Sequence, residues 1–211
     1  MVPPQSPRAL ALSAIPVFRA ANLRIPARQD PWRFENLAGV LAEISEESPS
    51  GALSFLTEII CDAQRQGQPV AWVAGTDSIF FPPDLALRGV DLASLAVVRA
   101  GGETESLAAV EWLVRSGALG LVLVDAEEEW SVTDAALGRI LKVAEKSSCA
   151  VIFLTRKRAR DPSLGSRISL RGCVSRSGLG PFTVLVHTVK DKRSNSASRQ
   201  SRQYHGPSGM H

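Results

Sequence analysis

With 211 residues, 45% of them apolar, the chain is long enough to bury the core of one domain of ordinary size, and nothing in its length demands a second. No apolar run approaches the roughly 18 residues that span a bilayer, and the opening Met1-Val2-Pro3-Pro4-Gln5-Ser6-Pro7-Arg8 lacks the charged, apolar, small order of a signal peptide. The net charge of +3 conceals a division: residues 1–155 carry 12 Lys or Arg against 19 Asp or Glu, whereas residues 156–211 carry 12 against 2, an acidic body with a basic C-terminal section.

Residues 1–39 form a proline-rich N-terminal arm, with Pro3, Pro4, Pro7, Pro16, Pro26 and Pro31 too frequent for any long regular element. Phe18, Trp32 and Phe34 give this arm apolar anchors, either for a neighbouring subunit or for its own core. Val40 to Ile44 reads as a short apolar strand, and Leu53 to Gln66 places Phe55, Leu56, Ile59, Ile60 and Ala63 on one helix face that Gly67 closes. Strand Val70 to Ala74 leads to an apolar loop, Phe80-Phe81-Pro82-Pro83, then a short helix from Asp84 to Gly89 and a strand over Leu95 to Arg99. A helix from Thr104 to Ser116 precedes Gly120 to Val124, whose unbroken apolar run suits a strand buried on both faces and ends at Asp125. A helix over Thr133 to Lys146 and a strand over Ala150 to Leu154 complete the alternation. Strand and helix in alternation predict an α/β fold with a mostly parallel sheet and helices on both faces. Ile168 to Ser175 and Phe182 to Val189, joined by Gly178-Leu179-Gly180-Pro181, predict an antiparallel C-terminal hairpin. Residues 40–190 thus make the core, and residues 191–211, rich in Ser, Arg, Gln and Gly, are expected to be a basic disordered tail.

The segment between the first strand and first helix is where an α/β fold of this kind holds a nucleotide phosphate. A phosphate loop, G-x-x-x-x-G-K-[ST], needs two glycines, a Lys for the phosphates and a hydroxyl for magnesium. Here Glu46 stands in place of the first Gly, Gly51 is retained, Ala52 replaces the Lys and Leu53 replaces the Ser or Thr. Glu46 and Glu47 are either internal substitutes for a phosphate or solvated loop carboxylates. With Glu127, Glu128 and Glu129 beyond Asp125, they repel the negative charges of ATP.

The order of these elements, together with Ala63-Gln64-Arg65-Gln66-Gly67, Leu87-Arg88-Gly89-Val90-Asp91-Leu92, Arg115-Ser116-Gly117-Ala118 and the strand ending at Asp125, resembles the RecA-type ATPase core over about residues 40–190. Val17-Phe18-Arg19-Ala20-Ala21-Asn22-Leu23 and His187-Thr188-Val189-Lys190-Asp191-Lys192-Arg193 are similar to the arm motif and the basic last strand of ImuA, a RecA-like family of the bacterial mutagenesis cassette. The resemblance implies a RecA-like core of the P-loop NTPase type with a degenerate phosphate loop. It also implies an accessory role in SOS-induced, error-prone translesion synthesis. The partners it implies are ImuB, a catalytically inactive relative of Y-family polymerases, an error-prone replicative-type polymerase, and RecA. The expected place is the bacterial cytoplasm, on the nucleoid when engaged, and the isolated cysteines Cys61, Cys149 and Cys173 suit a reducing compartment.

Carried over residue by residue, Asp125 takes the magnesium-holding position, Thr76 that of the Glu that activates water, and Arg156 that of the Gln that senses the γ-phosphate. With the Lys gone, stabilisation of the transferring phosphate goes too, so no catalysis, cofactor or metal is expected. Asp125 can equally cap a loop. Arg156-Lys157-Arg158-Ala159-Arg160 follows the strand whose succeeding loop faces single-stranded DNA in RecA. It reads as a phosphate-contacting loop, a dock for an acidic partner, or a solvated basic turn. Arg167 and Arg171 share strand parity and are expected to extend that patch. Two alternatives to the non-catalytic adapter stay open: an ATP switch with a site completed by a neighbouring subunit, and a stand-alone binder of single-stranded DNA.

Overall fold

The computed structural model describes residues 30–47, 51–76, 78, 80–126, 130–178, 181–194 and 198–205. The arm motif at 17–23, residues 48–50 of the candidate phosphate loop, the acidic run 127–129 and the hairpin tip at 179–180 lie outside these. Among the described residues eight strands form one sheet: β1 (Leu41–Glu46), β2 (Val70–Ala74), β3 (Leu95–Arg99), β4 (Leu121–Asp125), β5 (Ala150–Thr155), β6 (Leu170–Ser177), β7 (Phe182–Asp191) and β8 (Ser198–Tyr204). Their order is β3-β2-β4-β5-β1-β6-β7-β8. The first six run parallel, and β7 and β8 extend the sheet antiparallel.

Helix α1 (Ala52–Arg65) buries Phe55, Leu56, Ile59, Ile60 and Ala63 against one face of the sheet, with α2 (Pro82–Leu87) contributing Leu85. Helices α3 (Glu103–Arg115) and α4 (Asp134–Ser147) cover the other through Val110, Val114, Leu137, Ile140 and Ala144. Their ends follow local chemistry. Pro82 opens α2 two residues before Asp84, since its ring presets the first helical φ. Thr133 caps α4, its hydroxyl accepting from Ala136 N–H at 3.2 Å, and Gly67 takes a φ of +72° just past α1. Strands β2, β4 and β5 are buried along their whole length, as their apolar runs require.

The apolar anchors at 32 and 34 fold back onto their own core. Trp32 Nε1 donates to Thr188 Oγ1 on β7 at 3.0 Å, and the indole meets Phe55 edge-on at 5.7 Å between centroids. The ring fills the space above Gly172, where a Cβ would come within 2.6 Å of Trp32 Cζ2. Phe80 packs on Trp72 at 5.2 Å, while Phe81 stays 54% exposed.

The disorder expected of the tail is overturned over Ser198–Tyr204, which forms β8. Its composition, SRQSRQY, carries no run of apolar residues, and side-chain pairing holds it instead. Tyr204 stacks on Phe182 at 5.7 Å under the guanidinium of Arg88, and Arg202 pairs with Glu58 on α1 while lying 4.9 Å from the Phe55 ring.

Candidate functional site

In a parallel sheet the working groups gather beyond the carboxyl ends of the strands. Strand alternation divides those ends between the two faces. Ala42 and Ile44 of β1 and Leu121 and Leu123 of β4 belong to the core under α1, so Glu46 and Asp125, two residues further along, sit on that side. Glu43, Ser45, Thr155, Arg171 and Cys173 alternate onto the side of α3 and α4.

On the α1 side lie the residues matched to a nucleotide pocket. Gly51 and Ala52 begin α1, Thr76 occupies the turn after β2, and Asp125 is 6% exposed at the end of β4. Ala52 has no exposed surface, and a Cβ at Gly51 would come within 2.5 Å of Val184 Cγ2 on β7. Arg156, first residue after β5, turns to this side and ends with Nε 3.8 Å from Glu46 Oε1. It therefore leaves the company of the rest of the basic loop. Glu47 turns toward that loop: its Oε1 accepts from Ala159 N–H at 3.0 Å.

On the opposite side the structure holds a buried polar chain that the sequence reading passed over. Glu43 is fully buried in the middle of β1, and Arg171 on β6 is 3% exposed. Arg171 Nε donates to Ser45 Oγ at 2.9 Å and lies 3.7 Å from Glu43 Oε1. Thr155 Oγ1 donates to Glu43 Oε1 at 2.9 Å, so Ser45, 3.3 Å from Thr155, is the donor in that contact. The hydrogen bonds run in one direction from guanidinium through two hydroxyls to carboxylate.

The free ends of the pair hold the loop after β5. Glu43 Oε2 accepts from Leu164 N–H at 2.8 Å, Arg171 Nη2 donates to the Arg158 carbonyl at 3.0 Å, and Nη1 donates to the Asp161 carbonyl. Asp161 Oδ2 accepts from Arg158 N–H at 2.8 Å, and Lys190 Nζ donates to Ser163 Oγ at 2.9 Å. Burial lowers the pKa of that ammonium, an effect the Lys192 charge reinforces. The loop is thus fixed from below through its main chain, with the side chains of Arg158 and Arg160 exposed above it and that of Lys157 partly so.

Arg171 is therefore not part of the exposed patch. Residues 167 and 171 do not share a strand: β6 begins at Leu170, and Arg167 lies in the preceding turn. Arg167 pairs with Asp134 in the first turn of α4, Nε to Oδ2 at 3.0 Å. The hydrogen bond from Ser166, with that from Arg167, holds the Asp134 carboxyl below its ordinary range. In the loop after β5, Arg158 and Arg160 are exposed and Lys157 partly so, while Arg156 turns to Glu46. Glu43 was missed because it sits inside an apolar strand, yet a Glu there is itself the signal, since a buried carboxylate demands a partner.

Among the described residues no group of three or more His, Cys, Asp or Glu could hold a metal ion, and no helix is long and apolar enough to cross a membrane. No protein-family model matches the chain. Over 88 residues it is 33% identical to the RecA protein of Chlorobium limicola, covering 42% of this chain and 25% of that one. It is 34% identical over 88 residues to RecA of Chlorobaculum parvum, and 32% identical over 89 residues to RecA of Streptomyces venezuelae, of which it covers 25% and 23%. The chain is RecA-like over part of its length. It spans about a quarter of the length of the RecA proteins it matches.

Proposed function

We propose that this RecA-like chain is an adapter of the ImuA type that works without ATP hydrolysis in SOS-induced translesion synthesis. Its phosphate loop is degenerate. It joins an ImuB-type polymerase relative through protein contacts, with RecA and an error-prone replicative-type polymerase as further partners, and its basic half meets single-stranded DNA. One observation carries the non-catalytic reading: Arg156, in the phosphate-sensing position, lies against Glu46, in the loop-opening position, so cation and carboxylate answer each other where a nucleotide would need the cation. Ala52, buried at the start of α1, supplies no ammonium for a transferring phosphate. Lys157, Arg158 and Arg160, raised on an immobilised main chain, suit sequence-independent phosphate contact.

The test is co-purification with an ImuB-type partner on size exclusion, with and without ATP and magnesium. The expected result is a complex that forms equally in both. A complex that needs nucleotide would favour the second reading, an ATP switch completed by another subunit, whose support is Asp125 at the end of β4 on the α1 side. No complex under either condition would overturn the adapter.

A further inference from the structure

We propose that the partly exposed face of β6, β7 and β8 beside the basic loop receives one nucleotide unit of a single-stranded nucleic acid, in a bowl of about 300 Å3 that favours a base carrying an exocyclic amine. The inference rests on the reading that the basic half meets nucleic acid and adds to it a base-binding place.

The register builds the bowl. Cys173 stands opposite His187, and His187 opposite Arg199, a row across three strands; Ser175 and Leu185 form the next row. Paired residues share a face, so all five side chains point the same way. Their neighbours Val174, Val184, Val186 and Tyr204 point the other way into the core under α1. On this five-residue face Cys173 is buried, while Leu185 is 46% exposed. Glu47 and Ala159 form a wall, with Gln200 also in the lining.

The chemistry is divided in a way that fits a nucleotide. The cations flank the bowl: Arg158 and Arg160 on either side of Ala159, and Arg199 on the far strand, all exposed, at the places where a backbone enters and leaves. The floor is apolar in Leu185 and Cys173, whose thiol burial and the Glu47 charge keep neutral, its pKa raised to about 11. Glu47 is the one carboxylate of the lining among the described residues. Its oxygens accept from Ala159 N–H and from the Cys173 thiol, and a carboxylate has lone pairs for a further donor. The exocyclic amines of cytosine, adenine and guanine can donate to it, whereas thymine presents only its ring N3–H. Among the described residues no Phe, Tyr or Trp lines the bowl, so recognition rests on base edges rather than on a stacking platform.

Fluorescence anisotropy of the full chain with oligo(dC) and oligo(dT) of equal length, at one salt concentration, tests this. Oligo(dC) should bind roughly five- to tenfold more tightly, the effect of one good edge contact. Glu47→Gln should narrow that ratio while leaving oligo(dT) affinity in place. Leu185→Trp, a change at a half-exposed position, should fill the bowl and bring oligo(dC) down to the oligo(dT) level. Equal wild-type affinities that a triple reversal, Lys157→Glu, Arg158→Glu and Arg160→Glu, abolishes would overturn the bowl and leave the phosphate-contacting loop standing. A preference that neither Glu47→Gln nor Leu185→Trp moves would also overturn it. No binding to either oligonucleotide would remove the bowl and the DNA reading together.

Discussion

Arg156 Nε and Glu46 Oε1 lie 3.8 Å apart, joining the residue that follows β5 to the residue that ends β1. Both come from positions that the RecA resemblance assigns to nucleotide handling, and each reduces the other's charge there. The pair is partly exposed, so its own stabilisation is small, on the order of 1 kcal/mol or less.

A fluorescent ATP analogue with magnesium, titrated to millimolar concentration over a range of protein concentrations, should show no saturable binding. Saturation that strengthens with protein concentration and disappears in Asp125→Ala would mean a site shared between subunits, and the adapter reading would fall.

Removing one member of the buried pair should be costly. Arg171→Met leaves Glu43 charged inside the sheet and frees the carbonyls of Arg158 and Asp161, a loss of about 3–5 kcal/mol by urea denaturation. The double change Glu43→Leu with Arg171→Met should recover part of it. A single-variant loss below about 1 kcal/mol would show that the pair behaves as a surface contact.

The last strand should depend on its aromatic residue. Tyr204→Ala removes the stack on Phe182 and the platform under Arg88, with an expected cost of about 2–4 kcal/mol. In hydrogen exchange, amides of Ser198–Tyr204 that pair with β7 should be protected in the native chain and lose protection in this variant. Fast exchange across β8 in the native chain would restore the disordered tail.

The cysteines should be inert and should set an alkaline limit. Burial raises the Cys149 thiol from 9.0 to about 12 and, with the Glu47 charge, Cys173 to about 11; burial also raises Cys61. All three folded values lie above the unfolded one. The stabilisation is therefore complete below about pH 9 and is lost as pH rises toward 11 and 12, since only the unfolded chain releases its protons in that window. At pH 8 iodoacetamide should label the native chain far more slowly than the urea-unfolded chain, and Tm should fall between pH 9 and 11. Equal labelling, or a Tm that holds through that range, would contradict it.

Most elements were legible because their periods were clean. The apolar faces of α1 and α4 and the unbroken runs of β4 and β5 each demand one kind of burial, and each element appears within a few residues of its expected bounds. What escaped depends on partners distant in sequence. Strand β8 has no pattern of its own until Glu58, Arg88 and Phe182 are brought beside it. Arg171 looked like one more cation of a basic stretch, and only its pairing with β1 and the loop after β5 reveals it as interior. The exposed loop cations were readable from charge alone, whereas the carboxylate that fixes their loop was concealed by the apolar residues around it.

The Trp32 indole bound to Thr188 closes a span of 156 residues. Contacts that far apart form late, because the entropy of closing so long a loop must be met before the contact returns anything. The bond to Thr188 cannot form until β7 has been made, so the seat of the indole over Gly172 is completed only with the antiparallel extension. The extension that carries the bowl is therefore also what fixes the first tryptophan of the chain in place.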